Sequence, residues 1–256
     1  MIELAKSGKL AVVILAAGKG TRMNNPDMAK VMYELNGKPM IEYVVDLATK
    51  LQAQKALVVV GWQRQSVVDH VSKAFPSVEF VDQTEQRGTG HAVMQVTDGL
   101  KEFAGDVLVL SGDVPLLAEK TVRSLVGYHR TSEASATILT VELPDPTGYG
   151  RIIRNNDGTV KKIVEQKDAS KKELAVNEVN SGIYVFDKEK LFDALQHISP
   201  DNAQKEYYLT DVFEVFWKSD WPVSAVKAID VLEVMGINDR TQLQVAADAM
   251  LDRAKA

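Results

Sequence analysis

The sequence predicts an α/β protein: a doubly wound, mostly parallel sheet with a smaller β-rich lobe in its second half. Three observations carry this reading. Short apolar runs recur at Ala11–Ala16, Ala56–Val60, Val78–Val81 and Val107–Leu110. Amphipathic stretches separate them, as at Ile41, Val44, Val45, Ala48 and Leu51 after Pro39, a spacing that fills one face of a helix. Beyond residue 135 the pattern changes to strand-like runs joined by turns. Continuous apolar strands alternating with helices argue for a sheet buried on both faces, whose ligands sit beyond the carboxyl ends of its strands.

The later elements follow in order. Ala136–Leu143 reads as a strand. Gly150–Arg154 and Thr159–Val164 flank Asn155-Asn-Asp-Gly158, and Asp-Gly between two short runs is a hairpin signal. A strand at Ser181–Phe186, a helix near Lys188–His197, a helix near Tyr208, a strand around Val223–Ile229 and a closing helix from about Asp239 complete the chain. No Pro/Gly/Ser linker, repeat or low-complexity segment intervenes. One domain with two lobes, about 10–135 and about 136–256, fits better than two independent domains.

Composition removes several functions. The net charge of −5 over 256 residues gives no general attraction for nucleic acid or anionic membranes. With no cysteine there is no disulfide, thiolate metal site or cysteine nucleophile. The histidines His70, His91, His129 and His197 lack metal-ligand spacing. The start, MIELAKSGKL, lacks an apolar signal region, and no apolar run approaches the roughly 20 residues a bilayer requires. A cytoplasmic protein is expected.

The first strand runs into Leu15-Ala16-Ala17-Gly18-Lys19-Gly20-Thr21-Arg22-Met23. A dinucleotide fingerprint would place its third glycine at Met23, and a P-loop would need glycine at Val13 and a hydroxyl residue at Gly20, so both fail on spacing. Small residues there leave backbone N–H groups open to phosphate oxygens or a flat base. Arg22 adds a planar charged fork and Lys30 a point charge. Without a ligand, the same stretch is a tight strand-to-helix turn.

This stretch resembles the signature of sugar nucleotidyltransferases. The likeness continues in Gln83-Thr-Glu-Gln86-Arg-Gly88-Thr89-Gly90-His91-Ala92, Gly112-Asp113-Val-Pro115, Asp145-Pro-Thr-Gly148-Tyr149-Gly150-Arg151 and Val164-Glu165-Gln-Lys-Asp168-Ala169. Glu178-Val-Asn180-Ser-Gly182, Glu206-Tyr207-Tyr208-Leu-Thr210-Asp211 and Gly236-Ile-Asn238-Asp-Arg240 extend it, in order, from about residue 10 to about 245. The blocks are similar to those of bacterial N-acetylglucosamine-1-phosphate uridylyltransferases, enzymes of cell-wall precursor synthesis.

The resemblance implies a Rossmann-like, glycosyltransferase-A-like fold and a reaction between UTP and N-acetylglucosamine 1-phosphate assisted by Mg²⁺. It implies that Leu15, Ala16, Ala17, Gly18, Arg22 and Lys30 bind nucleotide, with Arg22 and Lys30 also catalytic. Gln83, Gln86, Gly88 and Thr89 complete that site, Gln83 and Gly88 reading uracil. Thr89, Gly150, Glu165, Asn180, Tyr208 and Thr210 form the sugar site, and Asp113 and Asn238 hold the metal. Each has a plainer reading: Asp113 as a turn aspartate, Asn238 as a cap or turn before the last helix, the glutamines as polar loop residues. Thr89 equally reads as a helix N-cap, Glu165 as solvated surface and His91 as structural. A transferase for another sugar or base, and a non-catalytic sugar-nucleotide-binding module, are the alternatives.

Two positions depart from the family pattern: Ala29 stands where proline is usual, and Ser111 where an aromatic is frequent. Bifunctional members continue into a left-handed β-helix that acetylates glucosamine 1-phosphate. No such repeat occurs before Ala256, so acetyl transfer is not expected and no oligomeric state is implied.

Overall fold

A computed structural model describes residues 8–255 except Asn24 and Pro26; the leader reading of residues 1–7 lies outside the described residues. The strands are β1 (Leu10–Ala16), the pair β2 (Glu34–Leu35) and β3 (Lys38–Pro39), β4 (Lys55–Val60), β5 (Glu79–Asp82), β6 (Asp106–Ser111), β7 (Ala136–Glu142), β8 (Arg151–Arg154), β9 (Val160–Val164), β10 (Glu178–Asp187) and β11 (Val223–Lys227). The helices are α1 (Met40–Lys50), α2 (Arg64–Ala74), α3 (Thr89–Met94), α4 (Glu119–Thr131), α5 (Lys171–Leu174), α6 (Lys188–Leu195), α7 (Val212–Lys218), α8 (Val231–Val234) and α9 (Arg240–Lys255).

A nine-stranded sheet runs β11-β7-β10-β6-β1-β4-β5, with the β8–β9 hairpin attached to β10. β6, β1, β4 and β5 are parallel, β10 is antiparallel to both β6 and β7, and β11 lies parallel to β7. The expected mixed, mostly parallel sheet is therefore present, with the antiparallel strands gathered in the second half. Residues 11–14 are wholly buried because both faces of the sheet are covered. Val12 and Ile14 pack in the cluster that includes Val44 of α1, Val71 of α2 and Leu125 of α4. Ala11 and Val13 pack in the cluster that includes Val93 of α3, Leu191 of α6 and Phe213 of α7. Alternation by twos along a single strand thus feeds two cores.

β1 is the switch point of this topology. β4 and β5 follow on one side of it and β6 on the other, so their connections diverge and leave a crevice at the carboxyl ends of β1 and β6. Gly112 N donates to Leu15 O at 2.9 Å, holding the two strand ends together.

Two elements differ from the sequence expectation. The strand expected at Ser181–Phe186 begins three residues earlier, at Glu178, and crosses an irregularity between Asn180 and Tyr184. Gly182, at φ +79°, lies within that irregularity. The helix expected near Tyr208 begins as a 3₁₀ turn at Leu209–Asp211 before α7. Among the described residues, no helix is long and apolar enough to cross a membrane.

Candidate active site

The crevice opens into a cavity of about 500 Å³. Leu15, Ala16, Ala17, Gly18, Lys30, Gln83, Gln86, Gly88, Thr89 and Asp113 all line it, so segments far apart in sequence converge on one cavity. The local chemistry explains the shape. Gly20 adopts φ +60°, and a Cβ there would stand 2.5 Å from Lys30 Cβ, so glycine lets the turn fold back on Lys30. A Cβ on Gly18 would meet nothing within 4 Å, so the chain there faces open cavity.

At one end four side chains meet. Lys30 Nζ pairs with Asp113 Oδ2 and donates to Asn238 Oδ1 at 2.7 Å, while Arg22 Nη2 donates to the same Oδ1 at 2.8 Å. Asp113 lies two residues beyond β6, and its carbonyl accepts from Ile237 N at 2.9 Å, which ties the segment carrying Asn238 to the strand end. Capping falls to the neighbour of Asn238: Asp239 Oδ1 accepts from Gln242 N at 2.8 Å, and Gln242 Oε1 accepts from Asn238 N at 2.7 Å. The Asn238 amide donates from Nδ2 to Gly236 O at 2.9 Å, which leaves Oδ1 to accept from Lys30 and Arg22. Asp113 Oδ2 and Asn238 Oδ1 converge on one cationic nitrogen. Hard oxygen donors aimed at a single point suit Mg²⁺, which keeps several waters beside one or two protein ligands. No cluster of three or more His, Asp or Glu suited to a metal occurs among the described residues.

At the other end the walls are main chain and amides. Ala17 O accepts from Trp62 N at 3.2 Å and Val60 O from Gln83 N at 2.7 Å, bringing the ends of β1, β4 and β5 together. Gln83 is 3% exposed; its Nε2 donates to Gly88 O at 3.0 Å and to His91 Nδ1 at 3.1 Å. Gln86 Nε2 donates to Gln83 O at 3.1 Å. Gly88 has φ +107°, and a Cβ on it would lie 2.5 Å from Tyr207 O. The N-cap reading of Thr89 is corrected: α3 starts at Thr89 with Gly88 as its cap residue, and Thr89 Oγ1 accepts from Leu209 N at 3.0 Å. The long-range bond wins because the Gly-Thr-Gly run lets the 207–209 chain pack directly on it.

The expected sugar residues gather around the hairpin and the irregularity of β10, although not all in one cavity. Asn180 N donates to Gly150 O at 2.9 Å, and Thr210 Oγ1 donates to Glu165 Oε1 at 3.0 Å. A Cβ on Gly150 would come within 3.4 Å of the Glu165 carboxylate. Glu165 is not solvated surface: burial is the largest influence on its carboxyl and pushes its pKa up, against the Thr210 bond. Glu165, Tyr208 and Thr210 line a second cavity of about 400 Å³. The Asn180 amide instead turns inward, donating to Tyr184 Oη at 2.6 Å. Tyr208 Oη accepts from Gln204 Nε2 at 2.8 Å.

Sequence reasoning left three neighbouring residues unassigned. Gly61 follows β4 directly, and a Cβ there would lie 2.8 Å from Gln86 Nε2 and 2.9 Å from Ala17 Cβ. Its only signal was a glycine at a strand end. Tyr149, whose phenol is pushed up by burial and then by Asp113, stands inside a recognised block without an assigned role. Asp211 also went unassigned; burial first, then Glu165, Glu214 and Asp168, raise it to about 6.

Fold and crevice define the class: a mostly parallel α/β protein with a ligand cleft at its switch point. The solved structure of UDP-glucose pyrophosphorylase complexed with UDP-glucose shares this fold, with a TM-score of 0.76 over 96% of this chain and 99% of that one, at 18% identity. The chain belongs to the nucleotidyl transferase family, whose model matches residues 11–231. Relatives include proteins described as bifunctional protein GlmU: 47% identical over 94% of this chain in Levilactobacillus brevis, 47% over 96% in Shouchella clausii and 47% over 94% in Streptococcus mutans. The chain spans about half the length of these curated relatives, 52%, 53% and 52% respectively.

Proposed function

We propose that this chain is one nucleotidyltransferase domain in two halves, acting in the cytoplasm to transfer uridylyl from UTP to N-acetylglucosamine 1-phosphate. The products are UDP-N-acetylglucosamine and pyrophosphate. The observation that carries the reading is the meeting of Arg22, Lys30, Asp113 and Asn238 at one end of a glycine-walled cavity, with the buried amide of Gln83 at the other. A triphosphate needs cations and open N–H groups; a base needs amides.

The reaction sets one anion against another. A sugar-phosphate oxygen attacks the α-phosphorus in line as pyrophosphate departs, so the barrier is repulsion plus charge growing on the leaving group. Arg22 and Lys30 lower it by electrostatic stabilisation in a preformed geometry. Asp113 and Asn238 would hold Mg²⁺, which supplies Lewis-acid polarisation of a phosphoryl oxygen. Lys30, which pairs with both of these oxygens, would stand beside the phosphates as a point charge. Leu15, Ala16, Ala17 and Gly18 line the nucleotide path, Gln83, Gln86 and Gly88 the base end, and Thr89 the junction with the sugar phosphate.

Gly150, Glu165, Asn180, Tyr208 and Thr210 form the sugar end. Carboxylate and hydroxyl oxygens there accept from sugar hydroxyls, and their negative character keeps the phosphate at the cationic end. The sugar phosphate is already anionic, so no general base is needed. Pyrophosphate release from a panel of nucleoside triphosphates and sugar 1-phosphates, with and without Mg²⁺, tests the reading. UTP with N-acetylglucosamine 1-phosphate is expected to give the highest kcat/KM, and only with metal. A higher value for another pair reassigns the substrate, and UDP-N-acetylglucosamine binding without turnover would make the chain a binding module.

A further inference from the structure

This inference rests on the base site proposed above. A glutamine amide offers two edges that differ by a half turn, a carbonyl or an NH₂. Uracil presents an N3–H donor between carbonyls, whereas cytosine presents an unprotonated N3 beside an amino group. Whatever fixes the half turn therefore decides which base is preferred.

At Gln83 the half turn is fixed from inside the protein. Both Nε2 hydrogens are spent, on Gly88 O at 3.0 Å and His91 Nδ1 at 3.1 Å. Turning the amide would set Oε1 against two acceptors, with almost no water to compensate at 3% exposure. Gly88 O is main chain and has no alternative; the His91 ring is the adjustable partner. We infer that His91 holds the Gln83 amide with its carbonyl toward the base and so selects uracil over cytosine.

The ring must be neutral for Nδ1 to accept, and burial first, then Arg87, push its pKa down against Glu85. The ring proton then sits on Nε2, 3.2 Å from the Gln95 amide nitrogen, which donates to His91 O at 2.9 Å. The ring sits in the first turn of α3, where Gly90 N donates to Tyr207 O at 2.8 Å and anchors the helix. His91 is a positioning residue: it acts on the base only through Gln83.

The test compares UTP with CTP, as kcat/KM with N-acetylglucosamine 1-phosphate, and UDP with CDP, as Kd by calorimetry. His91→Leu removes the acceptor and His91→Asn returns a carbonyl oxygen near the place of Nδ1. The uridine preference is expected to fall about tenfold in His91→Leu, the scale of one orienting hydrogen bond, and to recover in His91→Asn. Equal losses for both nucleotides, with the preference intact, overturn the inference and leave His91 a packing residue. Gln83→Ala separates the two readings. An unchanged preference in Gln83→Ala overturns the base site itself, while a preference lost there but kept in His91→Leu overturns only the role of His91. If His91→Leu does not fold, His91→Ala is judged by the same ratios.

Discussion

The two cavities are made of different materials. Beside β1 the walls are backbone, glycine and cations, and eight of the seventeen lining residues lie between 15 and 30. Beside β9 and β10 they are side chains, among them the carboxyls of Glu165, Asp168, Asp211 and Glu214 around one cavity. The difference teaches where specificity and where charge stabilisation reside. The proposed triphosphate site uses features that a small-residue turn at a strand end can supply. The proposed sugar site uses hydroxyl-matching oxygens, each placed by a different strand or loop.

Breaking the cationic end should cost most. Asp113→Asn is expected to abolish Mg²⁺-dependent pyrophosphate release, more than about 10³-fold, with an unchanged far-ultraviolet circular dichroism spectrum. Near-normal turnover in defined Mg²⁺ would remove Asp113 from the metal site. Arg22→Ala is expected to lower kcat by about 10²–10³-fold, the scale for one lost charge-stabilising donor, and an unchanged rate would take Arg22 out of the mechanism. At the other end Glu165→Gln is expected to cost about 10- to 100-fold in kcat/KM for the sugar phosphate, with the KM for UTP unchanged. A rise in the UTP KM instead would erase the division of labour between the ends.

The same contrast explains what the sequence disclosed. Of the four parallel strands of the first half, β1, β4 and β6 show themselves as apolar runs because both faces are buried, and the proposed phosphate turn shows itself because its residues are contiguous. The sugar end is scattered over Gly150, Glu165, Asn180, Tyr208 and Thr210, and only the family resemblance collects them. Even then Asn180 turns its amide to Tyr184, a bond that spans the irregularity around Gly182 and leaves no local trace. Gly61 was hidden for a similar reason: what requires a glycine there is Gln86 and Ala17, both more than twenty residues away in sequence.

The acid-rich end also predicts a pH dependence. Asp211 is raised from 3.8 to about 6, mostly by burial. A carboxyl whose folded pKa exceeds its unfolded value favours the native state only while protonated. Its contribution is therefore intact below about pH 4, declines between about 4 and 6, and is lost above. Asp211→Asn is expected to stabilise the protein by about 1–2 kcal/mol at pH 8 and to have no effect at pH 3.5, as read by urea midpoints at both values. A uniform gain or loss at the two pH values would separate Asp211 from the electrostatics of the sugar end.

The smallest effect is expected at Ala29, on the nucleotide side. Its φ of −62° already lies in the range a proline ring imposes, and its ψ of 135° is extended. Its N–H makes no hydrogen bond to the described residues, so proline would remove no donor in use. Ala29→Pro should stabilise the fold by about 0.4–1 kcal/mol by restricting the unfolded chain, visible as a higher urea midpoint with an unchanged slope. Because Lys30 follows directly, the substitution also asks whether the cationic end needs freedom. If Lys30 must leave Asp113 and Asn238 to reach phosphate, that motion belongs to its own side chain rather than to the backbone at 29. Stability should then rise with kcat unchanged. A gain in stability accompanied by a fall in kcat would place the movement in the main chain, and with it the advantage of alanine at this position.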